Sequence, residues 1–175
     1  NQVLKELSRI ANKQKVSSIV ITGGQSAKEL YKMWPKDPNF KFFKSASFYL
    51  SDERFVALQS EDSNFKMIKS SLGKFISSNQ IFKINGESKN FKSEAKRYGK
   101  IIPDKVDLVL LSVGEDGHIA SLFPKHKALK CNSKVTYLTN SPKSPSKRLT
   151  VTPKIILNAK NVLVMAKGKN KGNIL

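Results

Sequence analysis

Asp107-Leu-Val-Leu-Leu-Ser-Val-Gly-Glu-Asp-Gly-His-Ile-Ala-Ser-Leu-Phe-Pro124 carries an apolar run straight into a loop that holds an acid and a histidine among glycines. Residues 107–111 are few, apolar and end at a turn signal, so they read as a buried strand. Gly114, Asp116, Gly117 and His118 leave that strand as a loop, with a short helix expected after them. Open α/β sheets bind ligands beyond the carboxyl ends of their strands, which is where this loop falls.

The flanking sequence repeats the pattern. Val3, Leu4, Leu7, Ile10 and Ala11 recur at helical spacing, and residues 18–22 form a short apolar strand. After Gly23-Gly24-Gln25-Ser26, the positions Ala27, Leu30, Tyr31 and Trp34 share a helical face that Pro35 ends. A strand at 46–51 leads to a polar loop and to a helix that Ser63 or Asn64 caps, with Phe65, Ile68 and Leu72 inward. Residues 81–84 read as a strand, and Ser88 opens a helix carrying Phe91, Ala95, Tyr98 and Ile102. Strands follow at 135–138, 148–152 and 161–165, with a short helix near 153–159. The Ser/Pro/Lys-rich stretch at 140–147 reads as flexible surface. This alternation predicts one α/β domain over 1–175, incomplete at both termini, with a mostly parallel sheet covered by helices on both faces. Gly23–Ser26, Asp52–Arg54, Gly114–His118 and Gly168–Lys171 then share one edge of the sheet.

A chain of 175 residues is long enough for one real core. Its net charge of +19 is spread along the whole length, with four arginines and no dense basic block. That distribution reads as a solvated lysine surface that also attracts small anions, and no nucleic-acid partner is expected. Apolar runs of about five to seven residues fall short of the roughly 20 that span a bilayer, and nothing resembles a signal peptide. Cys131 has no second thiol to pair with, and no histidine or cysteine cluster has metal-ligand spacing. The expectation is a cytoplasmic monomer acting on a small molecule without metal or organic cofactor.

The loops suggest the chemistry. Gly23-Gly24-Gln25-Ser26 is either a tight connection or a phosphate cradle, in which backbone N–H groups at a helix start and the Ser26 hydroxyl meet an anion. It lacks the longer dinucleotide and phosphate-loop fingerprints, which favours a phosphate on a small molecule. Ser51-Asp52-Glu53-Arg54 is either an exposed turn with an internal ion pair or a set of groups that orients substrate hydroxyls or an oxyanion. A lone histidine is more often structural than catalytic, and His126, in a surface-like context, is assigned no role. His118 differs because it follows Asp116 in a loop leaving a buried strand. An imidazole, with an ordinary pKa of about 6.5, can take a proton from water at neutral pH. No serine or cysteine stands in a nucleophile elbow, so direct attack by water is favoured. Arg148 and Lys171 supply further cations, although any single lysine here reads first as a solvated charge.

With these residues in view, the chain resembles the 6-phosphogluconolactonase family within the sugar-phosphate isomerase and deaminase superfamily. The resemblance runs through Gly23-Gly24, Asp52-Glu53-Arg54, Ser63-Asn64, Gly114 to Pro124, Arg148-x-Thr150 and Gly168-x-x-Lys171. Asp-Gly-His is shared across the superfamily. The continuation Ala-Ser-Leu-Phe-Pro resembles the lactonases, whereas glucosamine-6-phosphate deaminases continue Asn-Glu-Pro. The resemblance implies a Rossmann-like three-layer sandwich that hydrolyses 6-phospho-D-glucono-1,5-lactone. It implies His118 as general base, Asp52 in positioning and Arg54 as stabiliser of negative charge. Gly23, Gly24, Ser26, Gly114, Asp116, Gly117, Arg148 and Lys171 would bind substrate or its phosphate. Ser112 and Ala27 depart from the family's glycine and proline. The rival readings are a glucosamine-6-phosphate deaminase or isomerase and a non-catalytic sugar-phosphate-binding protein.

Overall fold

The computed structural model describes residues 2–166. In chain order the elements are α1 (Gln2–Lys13), β1 (Ser18–Ile21), α2 (Gln25–Met33), β2 (Ser47–Leu50), β3 (Asp52–Arg54), α3 (Asn64–Leu72) and β4 (Ile81–Phe82). These are followed by α4 (Phe91–Ile101), β5 (Leu108–Ser112), β6 (Val135–Leu138), β7 (Arg148–Val151), α5 (Pro153–Leu157) and β8 (Val162–Met165). Five strands form an all-parallel sheet in the order β4-β2-β1-β5-β8. The chain runs from β1 to β2 on one side, and β5 later enters on the other. The switch point therefore lies between β1 and β5, where the loops after them diverge and leave a crevice.

Consecutive residues of β1, β2 and β5 are buried, so the sheet is covered on both faces as expected. Trp34 anchors one part of the core, with Phe43 at 4.9 Å, Phe40 at 5.3 Å and Phe48 at 6.3 Å in edge-on arrangements. Two buried tyrosines tie helices to strand ends. Tyr31 of α2 donates its hydroxyl to the Thr22 carbonyl at 2.8 Å and accepts from the Thr22 amide at 3.1 Å. Tyr98 of α4 donates to the Leu50 carbonyl at 2.9 Å. Both partners sit where the sheet's own hydrogen bonding stops, so each phenol satisfies backbone that would otherwise be orphaned.

The structure corrects four details of the sequence reading. Asp52–Arg54 is a strand and not a loop, and β6 and β7 leave the main sheet to form an antiparallel trio with it, in the order β3-β7-β6. Ser51, the one residue between β2 and β3, joins the two sheets: its amide donates to the Ile21 carbonyl and its carbonyl accepts from the Val151 amide, both at 2.8 Å. The helix expected at Ser88 starts at Phe91, because the Asn90 side chain accepts from the Ser93 amide as its cap. No helix follows His118 directly. Bridges Val113 to Ile119 and Ile119 to Leu122 fold that segment back on itself, with Ala120 in the left-handed region at φ 51°.

Asp107 fixes the start of β5. Its carboxylate accepts from the Ser17 amide (2.8 Å), the Ser18 amide (3.0 Å) and hydroxyl (3.1 Å), and Lys160 Nζ (2.6 Å). Burial pushes this carboxyl up, but Lys160 and the Ser17 and Ser18 donors outweigh it and hold it below its ordinary value. A depressed folded-state pKa adds stability that is present above the unfolded pKa and is lost as pH falls through the folded one. Asp107→Asn should therefore lower unfolding free energy by about 1–3 kcal/mol at pH 7 in urea titrations. The gap to the parent protein should close as the pH is taken below the carboxylate range.

Candidate active site

Three of the four loops expected at one edge meet there, around a cavity of about 190 Å³. Thr22, Gly23, Gly24, Gln25 and Ser26 line it from the β1–α2 turn, Asp52 and Arg54 from β3, and Ser112, Val113, Gly114 and His118 from the loop after β5. Asn64, Ala120 and Arg148 complete the wall. The fourth loop, with Gly168 and Lys171, lies outside the described residues.

The anion-facing side is built from backbone and two guanidiniums. Gly24 is the N-cap of α2 at φ 93°, and no side chain caps that helix, so its first amides open toward the cavity. Gly23 is required for another reason: a Cβ there would stand 1.9 Å from Asn64 Oδ1. Arg54 and Arg148 are direct partners across the β3–β7 ladder, and both line the cavity. Like charges placed opposite each other repel. Burial, and after it the charge of Arg54, push the Arg148 guanidinium below its ordinary value. Arg148 is 3% exposed, and its Nε donates to the Pro145 carbonyl (2.9 Å) while Nη2 donates to those of Lys143 and Ser144 (both 3.1 Å). Arg54 Nη1 donates to the Asp62 carbonyl at 2.5 Å, and its Nε is buried without a hydrogen-bond partner among the described residues.

Asp52 and Glu53, expected as a possible exposed pair, are 4% and 1% exposed. Side chains alternate along a strand, so the two point apart. Glu53 serves α3: it accepts from the amides of Arg54 (2.8 Å), Asn64 (2.8 Å) and Phe65 (2.7 Å) and from the Ser63 hydroxyl (3.1 Å). Asp52 serves the cavity: it accepts from Ser51 Oγ (3.0 Å), Asn64 Nδ2 (3.2 Å) and Ser121 Oγ (2.7 Å). Sequence reasoning did not place Ser51, Asn64 and Ser121 around Asp52. Asn64 stood out only as a helix cap and as part of the Ser63-Asn64 match.

His118 stands against the opposite wall. Its ring stacks on Phe123 at 4.6 Å, and Nδ1 meets Asp116 Oδ1 at 2.5 Å. With the proton on Nδ1, Nε2 is left as the acceptor. Burial pushes the Asp116 carboxyl up, but the hydrogen bond and charge of His118, with Lys143 behind them, outweigh it and hold it below its ordinary value. Two residues expected as substrate contacts, Asp116 and Gly117, stand outside this lining. Asp116 does not line the cavity: its carboxylate is engaged by the imidazole and by Lys143 Nζ at 3.3 Å. Gly117 is a turn residue at φ 81° that also lies outside the lining. Gly114 gives the imidazole its room, since a Cβ there would stand 2.1 Å from His118 Cε1 and 2.2 Å from Nδ1.

One cavity is thus lined by an imidazole whose Nδ1 meets a carboxylate, by a second carboxylate fixed by neutral donors, and by two guanidiniums beside a backbone-lined turn. Residues 1–175 match the family model described as glucosamine-6-phosphate isomerases/6-phosphogluconolactonase. The chain is similar to a 6-phosphogluconolactonase of Borreliella burgdorferi, 37% identical over 171 residues that cover 91% of this chain and 72% of that protein. It superposes on the crystal structure of a Thermotoga maritima 6-phosphogluconolactonase with a TM-score of 0.87 at 26% identity, covering 98% of this chain and 81% of that one. A monomeric glucosamine-6-phosphate deaminase shares the fold, with a TM-score of 0.82 at 18% identity over 97% of this chain and 78% of that one.

Gly114→Ala should displace the imidazole from Asp116 at a cost of about 1–3 kcal/mol, the usual range for overpacking. Urea titration reads the cost, and loss of the hydrogen-bonded Nδ1 proton resonance reads the displacement.

Proposed function

The chain belongs to the glucosamine-6-phosphate isomerase/6-phosphogluconolactonase family, and on that footing we propose that His118 activates the water that opens its lactone substrate. The activity is that of a 6-phosphogluconolactonase, a hydrolase of the pentose phosphate pathway that converts 6-phospho-D-glucono-1,5-lactone to 6-phosphogluconate. The observation that supports the residue assignment is that His118, hydrogen-bonded from behind to Asp116, lines the same cavity as Arg54 and Arg148.

In this reading the 6-phosphate enters the charged end, against Gly23, Gly24, Ser26 and Arg148, with Lys171 as a further cation. A phosphate beside Arg148 offsets part of the repulsion that Arg54 imposes on it, and Arg54 is left for the reacting carbonyl. Anchoring there fixes the lactone carbonyl relative to His118 and so contributes positioning. Nε2 takes a proton from water as the water oxygen bonds to C1, and the carbonyl electrons move onto its oxygen. Arg54 faces that developing oxyanion. Collapse re-forms the carbonyl and breaks the bond from C1 to the ring oxygen, which leaves with the proton held by His118. Asp116 keeps the tautomer and ring orientation throughout. Asp52, with both oxygens already fixed by hydroxyl and amide donors, accepts from substrate hydroxyls.

The partner in this reading is a small phosphosugar met in the cytoplasm by a monomer, with no nucleic acid involved. The even spread of lysine supports that view, and no described helix is long and apolar enough to cross a membrane.

His118→Ala should reduce turnover of freshly made lactone about 100- to 10,000-fold, with spontaneous hydrolysis subtracted, while 6-phosphogluconate binding changes far less. Equal loss in both would remove the base assignment. Release of ammonia from glucosamine 6-phosphate, with no lactone turnover, would support the deaminase reading in its place.

A further inference from the structure

The segment 140–147 reads in sequence as flexible surface, yet it is tied within itself, to Arg148 and to Asp116. Ser141 is buried; its amide donates to the Ser146 carbonyl at 2.9 Å, and its hydroxyl donates to the Lys143 carbonyl at 3.0 Å. The carbonyls of Lys143, Ser144 and Pro145 hold the Arg148 guanidinium. From that fixed backbone the Lys143 side chain reaches Asp116 Oδ1 at 3.3 Å, the same oxygen that holds His118 Nδ1 at 2.5 Å. Lys143 does not line the cavity, so this contact does not place it on substrate.

We propose that Lys143 is a positioning residue that shares the Asp116 carboxylate with His118 and thereby limits how readily the base becomes an imidazolium. The physical reason is competition for one acceptor. A carboxylate favours the protonated ring, because imidazolium gains more than neutral imidazole from the negative charge. A lysine on the same oxygen offsets part of that charge and repels a second cation, so it works against the imidazolium and in favour of the neutral ring. The other charged groups around His118 are Glu115 and Asp116 on its own loop, Asp52 and Arg54 from β3, and Arg148 from β7. Arg54 and Arg148 are also cations, but Arg148 is bound to carbonyls and Arg54 to Asp62, and neither forms an ion pair with Asp116. Lys143 does, while 43% of its side chain remains exposed, which leaves its contribution open to screening by salt.

The inference rests on His118 being the base, and the experiment separates the two claims. The parent protein, Lys143→Met, Lys143→Arg and, as a control on the same segment, Lys147→Met are compared. Lys147 lies over the Phe91 ring at 5.6 Å and not on the site. Two readouts are taken: the acidic limb of kcat/KM against pH, and the titration of the His118 ring resonances by NMR. His126, the other of the two histidines, is the internal reference.

Lys143→Met should move both His118 readouts to higher pH by about 0.5, as expected from removing one charge at this range in a solvated setting. The difference should shrink with added salt. Lys143→Arg should restore the parent profile, and neither Lys147→Met nor the His126 resonance should move. A lower kcat or higher KM with both readouts unmoved would overturn the proposal, assigning Lys143 to structure or to substrate. Movement of the ring titration without the kinetic limb would uphold the coupling and instead remove His118 as the base.

Discussion

Two carboxylates buried on consecutive residues govern how the site is assembled. Taking Asp52 and Glu53 out of water is costly unless every lone pair finds a donor. The donors come from different parts of the chain. Glu53 takes the start of α3. Asp52 takes one hydroxyl from the link between the sheets, one amide from α3 and one hydroxyl from the histidine loop. Satisfying one charge therefore fixes three cavity walls relative to one another. Burial raises the Glu53 carboxyl above its ordinary value despite the amides of Phe65, Asn64 and Arg54, and Asp52 beside it adds to the rise. Among the described residues neither carboxylate forms an ion pair, and both are held by hydroxyl and amide donors.

The opposite imbalance occurs a few ångströms of strand later. Arg54 and Arg148 face each other across a ladder with their charges turned to the same space. The protein orients these guanidiniums with carbonyls at 143–145 and 62, which fix direction without cancelling the charge. The field is left for a ligand to complete, and a phosphate accepts from a guanidinium fork in a way that a point-like ammonium does not reproduce. The net charge of +19 attracts anions to the surface generally, while this pair concentrates positive charge at one cavity.

The α/β class, the parallel sheet and the ligand-bearing edge were legible because they follow from apolar periodicity and from glycine placement. The strand at 52–54 was not legible. Asp-Glu-Arg has no apolar residue to alternate, and its burial is set by partners far away in sequence. Nor does sequence reveal strand sense: β6 and β7 look like further strands of the main sheet until their register with β3 is seen. His118, Arg54, Arg148 and the double glycine could be picked out by residue type and position. The contact of Asp116 with the His118 ring needed the fold of its loop. The Arg148 cage was invisible for a more basic reason. It is made of main-chain carbonyls, which every residue has, so Ser-Pro-Lys composition alone suggested only flexible surface.

The ladder that sets Arg54 against Arg148 also has a consequence in time. Asp52 and Ser121 are 69 residues apart, and Ser112 and Gly23 are 89 apart, so the cavity consists of contacts that are distant along the chain. Contacts of this kind form slowly and late, because loop-closure entropy must be overcome first. During synthesis the amino-terminal strands emerge well before residues 121 and 148, so Glu53 finds its donors early, whereas Asp52 waits for Ser121. Completion of the site and completion of the fold thus coincide. An anion that needs walls from both halves of the chain binds only the finished molecule, and by mass action its binding reports global folding.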